Sequence, residues 1–162
     1  MTTTDRTYSM SALLAFITES NAIEGIYDSP SDEEIAAYID FRSVERPTLE
    51  DVVRLVEVVQ PGARLRDRQG LNVSVGDHDP PPGGMGIPLA LDMLLADDTL
   101  TSAALHHRYL FLHPFTDGNG RSARALWLHR RGWDYGGGSF LQEWYYASLM
   151  SLDLDHSSAG PR

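Results

Sequence analysis

The sequence predicts an all-α fold, a helical bundle that carries one short β-hairpin. Three observations predict it. Apolar residues recur at three-and-four spacing through most of the chain, between helix starts and stops. Only residues 63–76 read as paired strands, turning at Gln69-Gly70. A chain of 162 residues with no cysteine fits one domain, with a core large enough to stand without disulfides.

The elements follow in order. Ser9 to Glu24 reads as the first helix: Leu13, Phe16, Ile17 and Ser20 share a face, and Gly25 stops it. Ser31-Asp32-Glu33-Glu34 has the form of a capping box and opens a helix to Arg42. Pro47-Thr48 opens the third helix. Val52, Leu55, Val56 and Val59 line one face of it, and Pro61-Gly62 closes it. Ala63–Arg68 and Leu71–Val75 form the arms of the hairpin, with Val73 and Val75 alternating with polar neighbours. The run from Pro80 to Gly84 is a stiff connector that neither a helix nor a central strand tolerates. Ile87–Ala96 and Leu100–Leu112 are the central helices, and another runs from Arg121 to Arg131. Gly132 and the glycines at 136–138 break the chain before a last helix, Phe140–Leu152. Residues 153–162 are polar and expected to fray. There is no repeat and no sign of a second domain.

Composition narrows the function. All 13 basic residues are arginine, so a P-loop and a protein-kinase ATP site are excluded, since both read phosphate with a lysine. A net charge of -10 argues against a nucleic-acid binder. The charge is uneven. Residues 1–60 carry 12 acids against 4 arginines, whereas residues 106–131 carry 5 arginines and one acid, Asp117. A basic island in an acidic chain suits a small anionic ligand; an arginine-rich helix facing solvent is the plainer alternative. The amino terminus has no basic region followed by a long apolar stretch, and Leu13–Ile17 is too short to span a membrane. The expectation is a soluble cytoplasmic protein with no membrane association.

The basic island contains His113-Pro-Phe-Thr-Asp-Gly-Asn-Gly-Arg-Ser-Ala-Arg124. His113 has the pKa of a general base at neutral pH. Asp117 is the type of single carboxylate that holds Mg²⁺ together with phosphate oxygens. Gly118-Asn119-Gly120 precedes a helix, whose free N–H groups attract phosphate. Arg121 and Arg124, three apart, can share a helical face and clamp phosphate with their forks. Phe115 reads as an apolar peg. Taken singly, each has a plainer reading: a structural histidine, a turn carboxylate, an ordinary helix cap.

Taken together, the string resembles the signature of the Fic family, His-x-Phe-x-(Asp/Glu)-Gly-Asn-Gly-Arg-x-x-Arg. Every fixed position is present, and a chance match is below about 10⁻⁹ per start position. The resemblance implies a Fic-type helical bundle with residues 100–131 as its catalytic core. It implies a protein adenylyltransferase that moves AMP from ATP to a Ser, Thr or Tyr hydroxyl of a target protein. His113 would deprotonate the hydroxyl, and Asp117 would hold Mg²⁺ between the α- and β-phosphates. Gly118, Asn119 and Gly120 would cradle phosphates, and Arg121 and Arg124 would bind the β- and γ-phosphates, with Phe115 in the nucleotide-binding loop. The hairpin would be the family's flap, with Val73, Ser74 and Val75 docking the target by strand pairing.

A second string, Ser20-Asn-Ala-Ile-Glu24-Gly25, resembles the family's inhibitory motif, (Ser/Thr)-x-x-x-Glu-(Gly/Asn). It implies a self-inhibited protein in which Glu24 withholds Arg124 from the γ-phosphate. The resemblance covers residues 9–135. Removal of AMP, transfer of another nucleotide, and nucleotide binding without turnover stay open beside AMP transfer. Trp127, Trp133, Trp144 and Tyr145 suit a core and a subunit interface equally.

Overall fold

The computed structural model describes residues 10–133. Ser9, the helix expected at 140–152 with Trp144 and Tyr145, and the tail 153–162 lie outside the described residues. The described residues fall into two compact units, residues 10–29 and residues 30–133. Six α-helices and no β-strand are formed among the described residues. None of the helices is long and apolar enough to cross a membrane.

The smaller unit holds α1 (Met10–Ile23), which buries Leu13, Phe16, Ile17, Ser20 and Asn21. Gly25 ends it in the left-handed region, at φ 77°, and returns its N–H to the Ala22 carbonyl at 3.0 Å. Glycine adopts that conformation without a Cβ penalty.

The larger unit holds α2 (Asp32–Ser43), α3 (Leu49–Val59), α4 (Gly86–Ala96), α5 (Ser102–Leu112) and α6 (Asn119–Arg130). Three of their starts are capped by hydroxyls: Ser31 accepts from the Glu34 N–H, Thr48 from Asp51, and Thr101 from Ala104. Thr48 and Asp51 form a complete capping box. The expected face of α3 (Val52, Leu55, Val56, Val59) is the buried one. Helices α5 and α6 form the most extensive pair among the described helices. Helix α4 packs on α5, α2 packs on α3, and α3 reaches α6 and α4. The run from Arg121 to Leu128 in α6 is buried without interruption, so α6 is a central helix although it carries two arginines.

The expected hairpin is corrected. Residues 63–68 form no ladder with residues 71–75, beyond the turn bond of the Leu71 N–H to the Arg68 carbonyl at 3.3 Å. Leu65 instead makes an antiparallel bridge to Phe115. The Arg66 N–H donates to the Pro114 carbonyl and the Thr116 N–H to the Arg64 carbonyl, each at 2.9 Å. The connector meets both arms instead. The Gly84 N–H donates to the Arg66 carbonyl at 2.9 Å, and the Gly83 N–H to the Asn72 side chain at 2.9 Å. Gly83 lies so close that a Cβ there would stand 2.6 Å from the Leu71 oxygen and 2.7 Å from that of Arg68. The Pro80–Gly84 connector thus folds back over the loop and takes the place of a hairpin partner. A smaller reversal forms further on. Val75 and His78 exchange both backbone hydrogen bonds at 2.9 Å around Gly76-Asp77, with Gly76 at φ 57°. Glycine at the first central position is the signature of such a two-residue turn.

Candidate active site

The motif loop is made where α5 stops. Proline cannot continue a helix, and the residue before it avoids the right-handed helical region. His113, just before Pro114, therefore leaves the helix and adopts φ 49°, ψ 61°, a conformation rare for a residue with a Cβ. Arg66 holds the loop there. Its side chain is fully buried. Its Nε donates to the His113 carbonyl at 2.7 Å, and its Nη2 to that of Leu112 at 3.0 Å. Its Nη1 donates to the carbonyls of Leu71 at 3.2 Å and Pro81 at 2.9 Å. One guanidinium thus caps the carboxyl end of α5, where a positive charge is favourable, and ties in the loop and the connector. Burial lowers the Arg66 pKa, yet arginine remains charged.

Asn119 folds the loop from the other side. Its Oδ1 accepts the Phe115 N–H and its Nδ2 donates to the Phe115 carbonyl, both at 2.9 Å. Its side chain is spent on building the loop, which leaves its backbone N–H for a ligand. Phe115 is buried in the core, 1% exposed. Ser122 donates to the Gly118 carbonyl at 2.9 Å and meets the Tyr109 hydroxyl at 2.8 Å; burial pushes the Tyr109 phenol up.

Gly118 is the amino-terminal cap of α6, at φ 77°, and no side chain caps that helix end. The first-turn N–H groups are therefore open to an anion. Asp117 stands exposed at the same end. Its Oδ1 accepts the Gly118 N–H at 2.7 Å, and its Oδ2 accepts from Gln60 Nε2 at 2.8 Å. Gln60 Oε1 in turn accepts from Arg121 Nη2. The Nε of Arg121 is buried and has no hydrogen-bond partner, a donor suited to a bound anion. Arg124 is fully buried. Among the described residues no group of three or more His, Cys, Asp or Glu side chains could hold a metal ion. A cation here would take one carboxylate, Asp117, and complete its shell from phosphate oxygens and water. That oxygen donor set fits Mg²⁺.

His113 is half-buried. Burial is the main cause that lowers its pKa, and Arg66 and His78 add to it, against the Leu110 carbonyl and Asp117. Its Nδ1 lies 3.4 Å from the Leu110 carbonyl. A carbonyl can only accept, so this contact favours the tautomer with the proton on Nδ1, which leaves the Nε2 lone pair open. His106 is buried on α5 and His107 half-buried. The pKa of His106 is lowered to about 4 by burial first and then by Arg124.

Ser20, Glu24 and Gly25 belong to the smaller unit; Ser20 is buried and Glu24 exposed. Val73 is half-buried, and Ser74 and Val75 are exposed. The turn that follows them is seated by His78, whose Nε2 lies 3.0 Å from the Phe111 carbonyl and whose ring packs against that of Phe111, tilted by 37° with centroids 4.3 Å apart. A cavity of about 430 Å³, lined by Val53, Val56, Arg64, Arg68 and Phe115, opens between α3 and the 63–71 loop without reaching His113 or Asp117. Sequence reading missed Gln60, Arg66, Tyr109 and Ser122. Arg66, flanked by Arg64 and Arg68, reads as solvated, and Gln60 reads as the last residue before a helix stop.

A family model described as the Fic/DOC family matches residues 46–129. The match runs from just before α3 into the last turn of α6 and leaves out α1 and α2. No curated protein and no solved structure gives a match.

Proposed function

The chain belongs to the Fic/DOC family, and from that membership we propose that it is a protein adenylyltransferase that moves AMP from ATP to a target hydroxyl. Its family implies Fic-type transfer of a nucleotide group to a protein; the adenylyl group and the residue roles are our reading. The observation that carries it is the convergence at one helix end of an uncapped α6 amino terminus, a buried arginine Nε without a partner, an exposed carboxylate and a histidine with a lowered pKa.

In this reading His113 Nε2 takes the proton of the incoming Ser, Thr or Tyr hydroxyl. The hydroxyl oxygen forms its bond to the α-phosphorus as the bond to the bridging oxygen breaks, and pyrophosphate leaves. Asp117 would hold Mg²⁺, which when bound would supply neutralisation of the phosphate charge. The N–H groups of Asn119 and Gly120, in the turn that Gly118 opens, and the forks of Arg121 and Arg124 hold the phosphates still. Catalysis here is positioning and charge stabilisation, not covalent chemistry by the protein. The segment Val73–Val75 is proposed to dock the target chain as an added strand. The Ser20–Gly25 motif is proposed to restrain the site through Glu24.

Incubation of the chain and of its Glu24→Gly variant with α-labelled ATP, Mg²⁺ and a cell lysate tests the reading. Label should enter protein, and chelator or Asp117→Ala should stop it. Label that enters equally with chelator would remove the metal. A variant that labels protein from UTP or GTP but not from ATP would overturn adenylyl transfer, and failure with all three would overturn nucleotide transfer altogether.

A further inference from the structure

Gln60 stands outside the signature, 57 residues before Asp117, yet its carboxamide touches both Asp117 and Arg121. The sense of the amide is forced. A carboxylate accepts and a guanidinium donates, so Nε2 faces Asp117 at 2.8 Å and Oε1 faces Arg121. Turned end for end, the amide would oppose donor to donor and acceptor to acceptor. The stem of Gln60 is placed as closely as its head. It is the residue that ends α3, with its N–H on the Val56 carbonyl at 2.8 Å. A Cβ at Gly118 would lie 2.9 Å from the Gln60 Cβ, so the stem runs directly against the turn that starts α6. The two hydrogen bonds on Asp117 use one lone-pair site of each oxygen and leave the others for a cation.

We propose that Gln60 is a positioning residue: it aims the Asp117 carboxylate at the divalent cation and holds the Arg121 fork beside the phosphates. This rests on the nucleotide-transfer reading of the same site. Residues that orient a metal ligand typically cost 10–100-fold in metal affinity when removed, and Gln60 orients the single protein ligand proposed here. It does so from α3, so the cation site is fixed by the end of one helix as well as the start of another.

Calorimetric titration of the full chain with ADP, across a Mg²⁺ series and without Mg²⁺, reads the binding without turnover. Gln60→Met keeps the stem and removes both hydrogen bonds. It should raise the Mg²⁺ concentration for half-maximal effect about tenfold, with Mg²⁺-free ADP binding changed much less. Gln60→Ala should give the same shift, and Gln60→Met should add nothing to the Mg²⁺ dependence once Asp117→Ala is present. Three results overturn the proposal. A Gln60→Met variant that titrates like wild type, while Asp117→Ala loses its Mg²⁺ response, removes Gln60 alone and leaves the site reading intact. Equal loss of ADP binding with and without Mg²⁺ would make Gln60 merely structural. A wild-type Mg²⁺ response in Asp117→Ala would remove the metal assignment and this inference with it.

Discussion

A histidine that serves as a base must be neutral before the hydroxyl arrives, and the surroundings of His113 favour that form. Burial, first of the causes, disfavours the imidazolium, and the nearby charge of Arg66 acts in the same direction. A lowered pKa means that the proton is already lost at neutral pH. The rate of target labelling should therefore be flat near pH 7 and fall only in acid, with a midpoint below the ordinary histidine value of about 6.5. His113→Ala should reduce labelling by about 10²–10⁴-fold and leave Mg²⁺-dependent ADP binding intact. A midpoint at or above that ordinary value, or labelling by the alanine variant within a few-fold of wild type, would remove the base from His113. His113, Asp117, Arg121 and Arg124 were legible because they lie within twelve consecutive residues and their spacing is itself the signal. Gln60 and Arg66 were not, because what they do depends on partners 57 and 47 residues away, a distance over which no local pattern carries information.

Helix positions were legible where the chain announces its own ends. Ser31 and Thr48 cap as their sequence implies, and Gly25 stops α1 at a positive φ. The expected hairpin failed for a reason that local alternation cannot reveal. Residues 64–66 had a better partner in residues 114–116, and the connector at 81–84 gave one N–H to the Arg66 carbonyl and one to the Asn72 side chain. Arg66 joins all three segments, so it is the residue on which this arrangement should depend most. Arg66→Met keeps the apolar stem but strips four buried or part-buried carbonyls of their donor. The expected cost is about 3 kcal/mol or more, a fall in Tm of roughly 6–12 °C for a chain of this size. Thermal unfolding of the full chain followed by circular dichroism measures it. A shift smaller than about 2 °C would mean that the loop, the connector and the end of α5 hold one another without the arginine.

At the scale of the whole molecule, the matched family region spans residues 46–129, and the Ser20–Gly25 string lies before it, in the smaller unit. The proposed brake therefore rests on the string itself: a serine and a glutamate one turn apart, with a glycine next, at the end of an amino-terminal helix. The resemblance assigns its action to Arg124, a hundred residues later, whose freedom to meet the γ-phosphate would set the activity of the wild-type chain. A coupling of the usual size between two such elements is roughly 5–150-fold. Glu24→Gly should raise both self-labelling and target labelling from ATP by a factor in that range. Glu24 is exposed, and thermal unfolding of both forms checks that the gain does not come from a looser fold. ADP lacks the γ-phosphate, so its affinity should be nearly the same in the two forms. The control is the double change of Glu24→Gly with His113→Ala, in which the gain must vanish because release of the brake cannot replace the base. A single variant no more active than wild type, or a double variant that keeps the gain, would show that Glu24 does not restrain this site.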